Sequence, residues 1–340
     1  MKDLSVTYIC GVALAGAVVV APAGVRADLF TDKTVSVYAG AGPGTTYSRY
    51  ARLIALHMGK HLPGNPKMIL RNMPGAGGTK AAIHLAKVAP QDGTALLVPH
   101  SNLPLSKVLF PNRLKFDIAR FHWLGTITPV SSVVALWHGA PATTLEGAMK
   151  TELFVGTTGK GAETYQVPTI MNKLLGTKFK TIAGYKGIGG MDKAIEKGEL
   201  HGRGGSLLSW TARKPGWIRD GKIKFIVQIG LTKSPELPAS LPLLMDLAKN
   251  DADREVLQLL SSAGAVGRSL VAPPGVDAAR AAALKAAFVA TVRDSAFLAD
   301  TKKQNLAVAP LSSAEIQGIV EKTVNTPDAL AKRIRSAIGL

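Results

Sequence analysis

The chain has 340 residues, 46% of them hydrophobic, which is enough to bury cores for two domains. Its 41 Lys and Arg residues against 23 Asp and Glu give a formal charge of +18, a balance that favours anionic partners. A single cysteine, Cys10, excludes an internal disulfide framework.

At the N-terminus, Lys2 is followed by an apolar run over 9–20, and Val25 and Ala27 put small residues at the positions a signal peptidase reads. Residues 1–27 are therefore expected to be a secretory signal peptide, too short and wrongly flanked for a membrane anchor. Tyr8-Ile9 before Cys10 argue against lipidation, so the mature protein has no thiol chemistry and is expected in the periplasm. Export, together with basic residues scattered along the chain and no aromatic-studded basic run, argues against nucleic acid. Anionic small molecules or an anionic membrane surface fit the charge better.

From Asp28 onward, strands, glycine loops and helices alternate. A strand over 35–39 leads through Gly40-Ala41-Gly42-Pro43-Gly44-Thr45-Thr46 into a helix marked by Tyr47, Tyr50, Ile54, Met58 and Leu62 at helical spacing. Pro63-Gly64-Asn65-Pro66 stops it. A strand over 67–71 enters Asn72-Met73-Pro74-Gly75-Ala76-Gly77-Gly78, and a helix over 79–88 leaves it. After a turn at 90–93, the strand 95–98 ends in Pro99-His100-Ser101-Asn102, and a basic, looser stretch follows. Strand-like runs at 123–127 and 133–137 come next. A strand over 153–156 opens into Thr157-Thr158-Gly159-Lys160-Gly161-Ala162-Glu163 and a helix. Another over 179–182 opens into Gly184-Tyr185-Lys186-Gly187-Ile188-Gly189-Gly190 and a helix. Residues 199–203 run into Gly204-Gly205-Ser206, 224–229 reads as a strand, and the tail from Asp277 is mostly helical.

This alternation predicts an α/β fold with parallel sheets. The pattern restarts near Val133 and returns near 270–272, so two domains are expected: 28–130 plus 265–340, and 131–264. Ligands of such sheets bind beyond the carboxyl ends of the strands. Those ends carry the glycine loops of both halves, which places a ligand cleft between the domains.

The sequence contains no G-x-S-x-G elbow, and 156–161 lacks the ending of a Walker A loop. Serine, histidine and acidic residues are present without a grouping, so an exported hydrolase stays open. The dinucleotide pattern begins at Gly40-Ala41-Gly42 but has Thr45 where its third glycine belongs, and the second strand ends in Arg71-Asn72 instead of an acidic residue. NAD is disfavoured, and an NADP-linked oxidoreductase with Arg71 on the 2′-phosphate survives as an alternative. His57 and His61 share a helix face at a spacing that suits a metal, but the intervening 58–60 lacks the zinc-protease glutamate. They are read as histidines near a helix C-terminus, and neither a metal nor a cofactor is expected.

What the loops offer is anion capture. Gly77 and Gly78 expose amides at a helix N-terminus, and Asn72 adds a side-chain amide. Thr45, Thr46, Thr157, Thr158 and Gly161 offer caps or ligand contacts. Tyr185 and Lys186 add a phenol and a charge. Arg203 adds a bidentate fork, either for a ligand carboxylate or for a salt bridge.

Several segments resemble one known family: 50–53, 61–66, the Asn72 loop, Val88-Ala89-Pro90-Gln91-Asp92-Gly93-Thr94 and Gly184-Tyr185-Lys186-Gly187. They are similar to the extracytoplasmic solute receptors of tripartite tricarboxylate transporters, the Bug or TctC family, over essentially all of the mature chain. The resemblance implies a type II periplasmic binding protein fold of two α/β domains, a non-enzymatic receptor that closes on a carboxylated solute, and delivery to membrane permease subunits. A monomer is expected. Carried over by motif, one carboxylate would be held by Gly44, Thr45, Thr46, Tyr47, Asn72, Gly75, Ala76 and Gly77, with Ser101 and Asn102 following. The other end would meet Thr157, Thr158, Gly161, Ala162, Glu163 and Tyr185. Many members have Gly-Gly-Tyr-Asp where this chain has Thr45-Thr46-Tyr47-Ser48, which makes an amino-acid ligand less favoured. A ligand-sensing partner of a two-component system is a further alternative to transport.

Overall fold

A computed structural model describes residues 29–340; the expected signal peptide and Cys10 lie outside the described residues. β1 (Thr34–Ala39) leads into α1 (Thr46–His57), β2 (Lys67–Asn72) into α2 (Thr79–Lys87), and β3 (Ala95–Val98) into α3 (Leu103–Leu109). β4 (His122–Thr126) and β5 (Ser132–Trp137) follow. Then come α4 (Leu145–Lys150), β6 (Leu153–Gly156), α5 (Glu163–Ile170), β7 (Phe179–Ile182), α6 (Ile188–Glu196) and β8 (Gly202–Ser206). α7 (Leu207–Thr211), α8 (Pro215–Arg219), β9 (Ile223–Ile229), α9 (Asp251–Val266) and β10 (Ser269–Ala272) precede four closing helices. These are α10 (Ala278–Arg293), α11 (Ser295–Lys303), α12 (Ser313–Val324) and α13 (Asp328–Ala337). No described helix is long and apolar enough to cross a membrane.

The strands form two five-stranded sheets, ordered β2-β1-β3-β10-β4 and β7-β6-β8-β5-β9. The expectation of parallel sheets needs correction, because each sheet is mixed. β10 runs antiparallel to β3 and β4, and β5 runs antiparallel to β8 and β9. The antiparallel strand holds the same place in both sheets, and in both it is the strand that the chain enters on arriving from the other sheet. It does not come through a right-handed helical crossover from a neighbour, so nothing forces it to run parallel.

Both sheets are covered on both faces, which explains their nearly continuous apolar strands. On β3, Leu96 and Val98 face the cluster that includes Tyr50, Leu284 and Phe288, while Ala95 and Leu97 face the one that includes Leu85, Trp123 and Ile316. On β5, Val134 and Leu136 face one cluster, and Val133 and Ala135 face the other with Trp210 and Trp217. α3 and α13 reach across: Leu105, Leu109, Ile334, Ala337 and Ile338 all lie in the cluster that covers β5 and β6.

Two elements differ from the sequence reading. The looser stretch after Asn102 begins with α3, whose Pro104 lies in the first turn, where proline is tolerated. The 199–203 segment contributes Gly202 and Arg203 to β8, and the strand continues through Gly204, Gly205 and Ser206. β8 lies between β6 and β5, and a Cβ on Gly202 would come 2.2 Å from the carbonyl of Ala135. Its glycines serve close strand approach as well as turning.

Between the sheets the chain crosses twice, and the crossings bond to each other. Arg268 N donates to Thr128 O, Ile127 N to Arg268 O, and Val130 N to Gly264 O, at 3.0, 2.9 and 2.8 Å. Gly267 sits at φ +52° with its Cα hydrogen side against Thr128; a Cβ there would lie 2.1 Å from Thr128 O. Gly267→Ala is expected to lower stability by at least about 1–3 kcal/mol, read as a shift in the urea midpoint. An unchanged midpoint would show that the crossing tolerates a side chain.

Candidate functional site

Because β1, β2 and β3 run parallel, their carboxyl ends lie along one edge and deliver three loops side by side. In the first, Thr45 caps α1, accepting from Ser48 N at 3.3 Å and donating to Gly42 O at 2.8 Å, while Gly44 stays exposed. Thr46 is buried and Tyr47 partly buried behind them.

The second loop is the Asn72 segment. Gly75, Ala76, Gly77 and Gly78 take φ values of +141°, +47°, +64° and +88°, a run that only glycine adopts without strain and that Ala76 enters at a cost. Here an expectation needs correction. The Gly78 amide does not face a ligand, since it donates to Gly75 O at 2.9 Å, and the Thr79 amide donates to Ala76 O. Gly75 and Ala76 are exposed at the loop tip. Gly78 instead lets the loop lie on His100, where a Cβ would come 2.7 Å from the ring.

The third loop joins the first. The Tyr47 hydroxyl donates to Ser101 Oγ and accepts from Ser101 N, both at 3.1 Å. The Tyr47 ring stacks on His100 with centroids 4.3 Å apart. Asn102 reaches the other half of the molecule: its Nδ2 donates to Gly161 O at 2.7 Å, and Gly77 packs against the same carbonyl.

On that second side, Thr157 is fully buried and braces its own loop, with Oγ1 3.1 Å from Thr164 Oγ1 and accepting from Gly159 N at 3.1 Å. Thr158 N donates to Thr164 Oγ1 at 3.4 Å. Ala162 is the N-cap residue of α5, and Glu163 begins the helix, hydrogen-bonded to the Ser132 side chain. Burial raises the Glu163 carboxyl above its usual range, against the opposing influence of Ser132 and of the nearby Arg268 charge. Tyr185 packs on the cluster around Met191 and Trp210, with Glu199 nearby, and none of its described contacts joins it to the Tyr47 group.

Arg203 does not present the fork expected of it. It is fully buried, donates from Nε to Asp192 Oδ1 at 2.7 Å, and lies 3.5 Å over the Trp210 ring. As the pairing strand between β5 and β6, β8 turns this side chain into the second half's core.

The arginine that does reach the meeting point of the two halves is Arg268, which the sequence reading passed over. It is 2% exposed and stands at the crossing, immediately before β10. Its Nη2 donates to Thr46 Oγ1 at 2.8 Å and to Ser206 Oγ at 3.5 Å, one hydroxyl from each half. The guanidinium lies 3.8 Å over the Tyr47 ring, a cation–π contact. Its Nε has no hydrogen-bond partner, and among the described residues no carboxylate lies within 4.0 Å of it. The Arg268 charge also influences the ionisation of His100, Glu163 and Tyr50. A buried guanidinium with no carboxylate in ion-pair range is desolvated at a cost that an anion would offset. The available signals in the sequence were Gly267-Arg268 abutting the apolar 269–272 run, and His100 at a strand end.

His57 and His61, considered for a metal, each meet a carboxylate instead: Asp300 at 2.9 Å and Asp294 at 3.1 Å, tying α1 and the turn after it to α11 and its N-cap. Arg71, considered for a 2′-phosphate, lies on edge strand β2 and donates to Ser36 Oγ at 3.1 Å.

Two outcomes test these assignments. Arg203→Ala leaves buried Asp192 with only Arg213, 3.7 Å away, and is expected to cost about 2–4 kcal/mol of stability, read by urea denaturation; a change below about 1 kcal/mol would return Arg203 to the ligand candidates. His100 is pushed down to about 4 from 6.5, by burial first and by Arg268 second. The unfolded chain takes up this proton near pH 6.5 while the folded chain stays neutral until about pH 4, so this contribution to stability grows as pH rises between those values. His100→Gln should flatten that part of the stability–pH curve, and equal slopes in both proteins would reject the assignment.

Similarity to known proteins agrees with this geometry. A protein from the TAR-I ttuE-ttuC' intergenic region of Agrobacterium vitis, of the UPF0065 group, is 33% identical over 168 residues. The match spans about half the length of each, 48% of this chain and 47% of that protein. Among solved structures, the periplasmic binding protein BugD superposes with a TM-score of 0.69 at 20% identity, covering 91% of this chain and 98% of its own. A protein of R. palustris solved with adipate gives 0.67 at 20% identity, with coverages of 90% and 97%. MatC of Rhodopseudomonas palustris with bound malate gives 0.66 at 21%, with coverages of 90% and 98%. The fold is therefore that of a periplasmic binding protein of this type. Residues 50–336 match the family described as the tripartite tricarboxylate transporter family receptor, TctC, and the chain belongs to that family.

Proposed function

We propose that this protein is a periplasmic receptor that captures a small organic carboxylate between its two halves and presents it to membrane permease subunits of a tripartite transporter. The observation that carries the reading is Arg268: a fully enclosed guanidinium, without a carboxylate partner, hydrogen-bonded to Thr46 of one half and Ser206 of the other. A carboxylate arriving there supplies the missing counter-ion and a partner for Nε, which offsets part of the cost of keeping the charge out of water. The adipate and malate found on two proteins of the same fold support this ligand class.

In this reading 28–130 plus 265–340 form one domain and 131–264 the other, with the two crossings as the hinge. Closure brings Gly161 against Asn102 and Gly77. Glu163, Tyr47 and the first-loop threonines line the ligand, and the 1–27 segment directs export. Capture without catalysis is the natural work of such a site. Its titratable groups are His100 and Glu163, and the sequence offers neither an activated nucleophile nor a cofactor motif. A sensing role would use the same capture step with a different membrane partner.

A thermal-shift screen of the purified mature protein against carboxylates, neutral sugars and cations tests the proposal. At ligand concentrations about 100-fold above Kd, a carboxylate is expected to stabilise by roughly 2.7 kcal/mol, while Arg268→Gln should lose at least about 1.5–3 kcal/mol of that binding. Stabilisation by sugars or cations but by no carboxylate would reject the reading.

A further inference from the structure

We infer that the ligand is a monocarboxylate carrying a hydrogen-bond donor such as a hydroxyl at its far end, and not a di- or tricarboxylate. This rests on the carboxylate-receptor reading above and narrows it. The first ground is charge. Around the meeting point of the halves Arg268 acts on Glu163, His100 and Tyr50 and lies over Tyr47; Arg49, the other cation acting on Tyr50, is turned to Gln304. His100 is held neutral at physiological pH, since it titrates at about 4. Arg268 can neutralise one carboxylate. A second carboxylate there would have no cation to balance it, since Glu163, its carboxyl raised by burial, brings no positive charge.

The second ground is independent of charge: two buried side-chain acceptors, at the end of β2 and after β3, lack donors. Asn102 is 5% exposed, and its orientation is fixed because Nδ2 donates to Gly161 O at 2.7 Å. Its Oδ1 is therefore an acceptor, and that atom is buried with no partner. Asn72 Oδ1, at the end of β2, is likewise buried and unpartnered. Each orphaned buried acceptor is costly until a donor arrives. A ligand carboxylate oxygen is an acceptor and deepens that deficit, whereas a hydroxyl donates to it. One end of the site thus asks for an anion and the other for a donor. Sites built to hydrogen-bond a hydroxyl discriminate sharply against analogues that lack it.

Isothermal titration of the mature protein with two matched sets provides the test: butyrate, 4-hydroxybutyrate and succinate; benzoate, 4-hydroxybenzoate and terephthalate. In whichever scaffold fits, the hydroxylated monocarboxylate is expected to bind at least tenfold more tightly than both the unsubstituted acid and the dicarboxylate. Asn102→Ala should erase the advantage of the hydroxyl over the unsubstituted acid while leaving carboxylate binding measurable, whereas Arg268→Gln weakens all the acids together. The wild-type series needs no variant to fold. A dicarboxylate that binds as tightly as its hydroxylated counterpart overturns this inference and leaves the receptor reading standing. Failure of every acid in both sets to bind overturns both.

Discussion

Arg268 carries a full positive charge into the place where the two halves of the molecule meet, and the surroundings are arranged around that charge. Thr46 and Ser206 accept from its Nη2, Tyr47 lies beneath its plane, and Gly267 before it allows the chain to bond tightly to the opposite crossing. Desolvating a guanidinium is costly, and neutral hydroxyls with one cation–π contact recover only part of that cost. The remainder is left uncompensated where both halves meet, which is the basis of the proposed anion capture.

The crossing itself follows from topology. Each sheet has one antiparallel strand, β5 or β10, and each of these continues directly from a segment that has just left the other sheet. The two segments pair through Thr128, Arg268, Val130 and Gly264, so the chain passes between the halves as a bonded pair and not as two loose linkers. Such a joint can absorb a change in the angle between the sheets only in so far as α3 and α13, packed into the cluster over β5 and β6, accommodate it. The buried Asn102 amide, donating to Gly161 O, is a further contact between the halves.

The two buried arginines illustrate why local sequence assigns roles poorly. Arg203 lies among glycines and serine, as a ligand arginine might be expected to, yet β8 is an internal strand and Asp192 on α6 meets its guanidinium. Arg268 follows an apolar helix and a glycine, with nothing nearby in sequence to mark it, and it becomes the central cation because Thr46, 222 positions away, and Ser206, 62 away, converge on it. The Asn72 loop was visible from its glycines, but those glycines serve a left-handed run that packs on His100 and closes its own amides, as well as approaching the opposite half.

Amphipathic periodicity and turn residues, which are local properties, determined the α/β class, most strands and helices, the loops at the strand ends and the family resemblance. The continuous apolar strands could be read because a strand covered on both faces must be apolar at every position. What only the tertiary structure decided was strand direction, the depth of each polar side chain, and which charges find partners. Those depend on groups brought together from distant parts of the chain, and the energy of a buried charge is set by that company and not by its sequence neighbours. The sequence pointed to loops suited to an anion on both sides, while folding paired Arg203 with Asp192 and left Arg268 without a carboxylate within 4.0 Å among the described residues.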